Sequence, residues 1–170
     1  MRKKIITFFY LLLSGGSGYG QLSENFKDGD FSVDPEWSGN TQAFVVNSAN
    51  QLQSNNTDEN SIFYLSTANL LASSAQWEFW VKINFNPSSA NYIDAYLISS
   101  SGDLSSTSNS GYFVRIGNTD DEISLYRKDG NDASIKIIDG ENGILNHSSN
   151  TIRIKIIRDA SNQWILYRDV

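Results

Sequence analysis

The chain has 170 residues, a length that fits one domain, and carries 13 basic against 19 acidic residues for a net charge of −6. That balance argues against nucleic acid or an anionic membrane as partner, since both attract basic patches. There is no cysteine and one histidine, His147, which excludes a disulfide framework and a thiol nucleophile and leaves the usual zinc ligands almost absent.

The chain opens "MRKKIITFFYLLLSGGSGYGQ". A basic start, a short apolar run and a tail of small residues form the pattern of a secretory signal peptide. The predicted leader is residues 1–20, cut between Gly20 and Gln21. Its apolar run, 5–13, is shorter than the ~20 residues of a spanning helix. No cysteine lies near the cut, so a lipid anchor there is excluded. Removing three basic residues leaves 10 against 19 acids, a net charge of −9 for the mature domain, residues 21–170. No membrane span is expected in that domain.

Next comes "NFKDGDF" (25–31), where Asp28 and Asp30 flank Gly29. Two carboxylates with loop carbonyls are ligands that Ca²⁺ takes, but Asp-Gly-Asp is equally an ordinary turn. The turn is the favoured reading, and no resident cofactor is expected. Trp37, in "DPEWSGN", is expected to cap one end of a core.

From there on the chain reads as strands: 43–48, 51–54, 61–67, 75–85, 92–100, 111–117, 122–128, 134–139, 151–159 and 163–169. They are rich in β-branched and aromatic residues, and many alternate, as Ile152, Ile154 and Ile156 do against Arg153 and Lys155. Ile135 and Ile137 alternate with Lys136 in the same way. "ANLLASSA" (68–75) is the one helix candidate and a weak one. Asp129-Gly130 supplies hairpin chemistry, and "RDASNQW" (158–164) is a compact polar link. Strands roughly ten residues apart between turns predict an all-β, antiparallel two-sheet sandwich. An outer-membrane barrel would alternate too, but aromatics lie mid-strand as often as at strand ends, so the interfacial girdles of a barrel are missing.

"WEFWVKINF" (77–85) places Trp77, Phe79, Val81, Ile83 and Phe85 on one side, and Trp80 among polar residues on the other. Trp80 is expected to be shielded by adjoining polypeptide, with stacking on a sugar as the lesser alternative. The candidate ligand-binding residues are Trp80, Tyr96 and Tyr126, from a wider set that includes Tyr92 and Tyr112. His147 in "GILNHSSN" has no identifiable catalytic partner. Sugar-cleaving enzymes need two converging carboxylates. The glucanase pattern Glu-x-Asp-x-x-Glu is absent, and "TDDEIS" (119–124) reads as a solvated turn whose neighbouring acids point apart.

Three stretches, 24–53, 77–99 and 151–169, together resemble the N-terminal region of large secreted surface proteins of Bacteroidota-type bacteria, some of which carry a lamin-tail domain. The ending Arg158, Asp159, Trp164, Leu166, Tyr167 is similar to a strand–turn–strand of the concanavalin A-like, laminin-G-like superfamily. The resemblance implies a jelly roll. Proteins of that kind continue after "LYRD" with strands that close on the first, whereas this chain stops at Val170. The resemblance therefore implies a sandwich incomplete at its C-terminus, with an open edge. The functional expectation is a secreted or cell-surface, non-catalytic binding or adhesion module for extracellular glycans or surface proteins. The alternatives are a glucanase-like hydrolase and a spacer or remnant without ligand.

Overall fold

The computed structural model describes residues 3–5 and 22–169. The expected cut between Gly20 and Gln21 lies outside the described residues, as does most of the expected leader. Thirteen strands occur among those described: β1 (Lys3–Ile5), β2 (Ser38–Gly39), β3 (Phe44–Val46), β4 (Leu52–Ser54), β5 (Ser61–Phe63), β6 (Leu65–Ser66), β7 (Ala75–Ile83), β8 (Asn91–Ser99), β9 (Gly111–Gly117), β10 (Glu122–Lys128), β11 (Ile135–Ile138), β12 (Asn150–Arg158) and β13 (Trp164–Asp169). A large sheet runs β11-β10-β9-β8-β1-β5, and a small one runs β13-β12-β7. Two further pairs, β2 with β6 and β3 with β4, complete the set.

The predicted two-layer arrangement is what forms. Alternation puts Trp77, Phe79, Val81 and Ile83 of β7 and Ile152, Ile154 and Ile156 of β12 on the inner face of the small sheet. Ile93, Ala95 and Leu97 of β8, Val114 and Ile116 of β9, and Ile123 and Leu125 of β10 line the facing side of the large sheet. All belong to one buried cluster, and each large side chain removed from water contributes ~1.5–3 kcal/mol. Trp37 is buried in it, as expected. At one end Trp77 stacks on Trp164 at 5.7 Å, and Trp164 meets Tyr112 of the large sheet at 4.8 Å. The Arg158 guanidinium caps both Tyr112 and Trp164.

Local chemistry sets the connections. Gly130 takes a φ of +55° in the β10–β11 turn, and its N–H donates to Ser110 Oγ at 2.8 Å. Asp159 Oδ1 accepts from the N–H groups of Ser161 and Gln163, both at 2.8 Å, and so builds the β12–β13 turn. β8 carries a bulge between Tyr96 and Ile98 where it pairs with β9. Gly111 lies opposite Ser99, just beyond that bulge, where an added Cβ would run into the Ile98 carbonyl.

The weak helix candidate at 68–75 forms no helix: the Leu71 N–H donates to Asn69 Oδ1 at 2.9 Å, and Ala75 begins β7. One expectation needs correction. Ile135 and Ile137 are exposed (53% and 38%) rather than buried, because β11 is the outermost strand of the large sheet and overhangs a small sheet of only three strands. No helix among the described residues is long and apolar enough to cross a membrane.

Candidate functional site

The outer faces of the two sheets hold the sequence-selected residues. On the small sheet, Trp80 of β7 pairs with Arg153 of β12, and Glu78 pairs with Lys155, which in turn pairs with Tyr167 of β13. Residues opposite one another on neighbouring strands share a face. Trp80 is 59% exposed and Tyr167 is 49% exposed. The expectation that Trp80 is shielded is therefore overturned: among the described residues β7 is the margin of the small sheet, and the neighbour it has there presents Arg153 rather than a covering ring. Glu78 Oε1 accepts from Arg153 Nε at 2.6 Å and from Nη2 as well. That pair holds the Arg153 guanidinium on Glu78. Strand spacing and rise place Trp80 and Tyr167 about 12 Å apart along a diagonal. Glu78, Arg153, Lys155, Ile157, Tyr167 and Arg168 line a shallow depression beside Tyr167, and Trp80 stands outside it.

On the large sheet, Tyr96, Phe113 and Tyr126 stand side by side on β8, β9 and β10. Phe113 lies 5.0 Å from Tyr96 and is stacked on Tyr126 at 5.4 Å with a 6° tilt. The next row is Asp94, Arg115 and Ser124. Arg115 binds Asp94 through Nε at 2.7 Å and Nη2 at 2.8 Å, and its guanidinium lies over Tyr92, Tyr126 and Phe113 at 4.3, 5.1 and 5.3 Å. Burial, the largest single influence, would lower the Arg115 pKa, but the hydrogen bonds and the charge of Asp94, with Tyr92 and Tyr126, together outweigh it and the net direction is up. Tyr96 is pushed up to about 12 by burial and then by the Asp94 charge. Burial also raises Tyr126.

Sequence reading thus chose two tyrosines that do share a face, and missed the Phe113 and Arg115 that join them. It also took "TDDEIS" for a solvated turn. Glu122 is instead 3% exposed, because β10 starts at that residue and brings its carboxylate onto Ser124 Oγ at 2.7 Å and Lys136 Nζ at 2.6 Å. Lys136 also holds Asp139 at 2.6 Å. Asp139 and Glu122 keep the Lys136 ammonium above its ordinary pKa, and Lys136 keeps the Asp139 carboxyl below its own. The Glu122/Ser124/Tyr126 phase against Ile123/Leu125 was the available signal.

The remaining candidates sit apart. Asp28 Oδ1 accepts from the Asp30 N–H, and Asp30 Oδ1 accepts from the N–H and Oγ of Ser32. These are local turns, and among the described residues no group of three or more His, Asp or Glu could hold a metal ion. Hydrogen bonds from Ser32 lower the Asp30 pKa. His147 is exposed in the loop before β12, where its carbonyl accepts from Asn150 Nδ2 at 2.7 Å.

Comparison with protein-family models, with curated proteins and with solved structures returns no match.

Proposed function

We propose that this chain is an exported, non-catalytic binding module that holds extended glycans on the outer face of its small sheet, at the cell surface or in the surrounding medium. The observation that carries the reading is the 59% exposure of Trp80 in mid-strand, with Tyr167 on the same face. A large ring left open forgoes burial worth ~1.5–3 kcal/mol, and Trp80 shares its face with the exposed Tyr167 and Ile165, an apolar group rather than a lone side chain. An indole offers a flat apolar face to the C–H side of a pyranose. Arg153 and Lys155 supply hydrogen-bond donors to hydroxyls, and Glu78 holds Arg153 in one orientation. The leader-like start and the surface-protein resemblance of residues 24–53, 77–99 and 151–169 support export.

A glycan array probed with the full chain, followed by titration of the retained polysaccharide, tests the reading. Trp80→Ala and Tyr167→Ala should each weaken binding roughly ten-fold or more with an unchanged melting temperature, the loss of a rigid aromatic anchor. Retention of no glycan, or undiminished binding by both variants, counts against it. N-terminal sequencing of exported protein should begin at Gln21.

One observation favours a second reading. Asp94 and Glu122 share the outer face of the large sheet, and sugar cleavage uses two carboxylates. Each is clasped by a cation, Asp94 by Arg115 and Glu122 by Lys136. Release of reducing ends from polysaccharide, lost in Glu122→Gln, would move the assignment to hydrolysis.

A further inference from the structure

Strand β1 is the anomaly of the large sheet. Lys3, Lys4 and Ile5 pair in parallel with Ser61, Ile62 and Phe63 on one side and with Asn91, Tyr92 and Ile93 on the other. β8, β9, β10 and β11 are joined by antiparallel pairs. β5 and β8 therefore run in the same direction and meet only through β1. With neighbouring strands ~4.8 Å apart, their rims stand roughly 9.6 Å from each other, too far to pair directly. Backbone N–H and C=O groups on both rims need partners. Both rims also carry core side chains, Phe63 and Ile93, each 3% exposed. An empty seat would open the core to water, so the place between β5 and β8 demands a strand.

The strand that sits there comes from the stretch that sequence reading assigns to a removable leader. It is also basic: Arg2, Lys3 and Lys4 carry three positive charges, against −9 for residues 21–170. We propose that Lys3–Ile5 is a placeholder, and that the seat between β5 and β8, once vacated by processing, takes up an extended, basic-then-apolar segment of another polypeptide in parallel register. This is strand addition at an internal gap, with affinity from the main-chain ladder and register from alternate side chains. Its second half rests on the export reading above; the seat itself does not.

Amide hydrogen exchange on the full chain separates the two. In the unaltered chain the seat-facing amides of 61–63 and 91–93 should be protected. Lys4→Pro removes an N–H and fixes φ in the middle of the seated strand. It should speed exchange at those amides roughly ten-fold or more while β10 keeps its protection, a local rather than global opening. Adding a synthetic peptide of residues 2–8 should restore protection, and the same peptide carrying Lys4→Pro should not. If Lys4→Pro fails to fold, Lys3→Pro at the end of the seat makes the same test. Absent protection in the unaltered chain, unchanged exchange in the proline variant, or no rescue by peptide each overturns the proposal. Exported protein that retains residues 1–20 would remove the export reading and leave the seat to be decided by the exchange pattern.

Discussion

On the large sheet, Arg115 lies under three aromatic rings with both Nε and Nη2 on Asp94, and only 19% of its side chain is exposed. On the small sheet, Arg153 holds Glu78 in a similar cross-strand pair, yet 41% of its side chain is exposed and Trp80 beside it stands open. The two faces follow the same alternation and use the same residue types. The difference is the number of neighbours. β9 lies between two strands that each place a tyrosine next to Phe113, so the rings cover one another. Among the described residues β7 is a margin with one neighbour. Whether an outward aromatic is structural or available is therefore decided by what stands on the adjoining strands.

The sharpest way to break this comparison is a matched truncation of two outward tyrosines. Tyr126 is 9% exposed and stacked on Phe113, whereas Tyr167 is 49% exposed. Tyr126→Ala should cost about 3 kcal/mol, as large-to-small changes at packed aromatics do. Tyr167→Ala should cost less than about 0.5 kcal/mol, the ordinary scale of a surface change. Urea denaturation of both variants measures the gap, and equal losses would show that the two faces are alike.

The arginines give a smaller contrast. Arg115→Met strands Asp94, whose side chain is 14% exposed, among aromatic neighbours. Removing one partner of a fully buried pair costs ~3–5 kcal/mol, and the residual exposure here lowers the expectation to about 2 kcal/mol. Arg153→Met strands Glu78, whose side chain is 11% exposed, but Arg153 is itself 41% exposed, so water can take its place, and Gln76 Nε2 stays at 3.5 Å; the cost should be about 1.5 kcal/mol. Denaturation in low and high salt checks the assignment: the Arg153–Glu78 contribution should shrink with salt, and the Arg115–Asp94 contribution should persist.

Much of this architecture is legible in short windows. The runs 111–117 and 122–128 coincide with β9 and β10 residue for residue, because alternation and the turn residues beside them are local properties. What the windows do not contain is register. Phe113 shares its parity with Arg115 and so can be placed on the outer face, but its burial there depends on Tyr96 and Tyr126 standing opposite, a fact of pairing between separate strands. Glu122 was misread for the same reason, since Lys136 reaches it only through the β10–β11 hairpin. The exposure of Trp80 depends on β7 lying at a margin, and the β1 seat on a parallel pairing with two distant strands. Sequence alone ranks the ring and the charge but not its neighbour.

The closed face also predicts the smallest effect, a pH dependence. Tyr96 titrates at about 12 in the folded chain against an ordinary value of 10.0, through burial first and the Asp94 charge second. A raised folded pKa means that the neutral phenol is favoured in the folded state. Its contribution is fully present below pH 10 and is lost as pH rises through about 12. A rise of that size corresponds to at most ~2.7 kcal/mol, and the solvent reaching a half-buried ring reduces this to about 1 kcal/mol. Tyr96→Phe removes the ionisable group while keeping the ring against Phe113. The variant should therefore lose less stability than the unaltered chain between about pH 10 and pH 12, and match its pH slope well below pH 10. Tyr126, also raised by burial, keeps part of the slope in that variant. An identical alkaline slope with and without the Tyr96 hydroxyl would mean that this ring is as wet as Tyr167, and the distinction between the two faces would fail at β8.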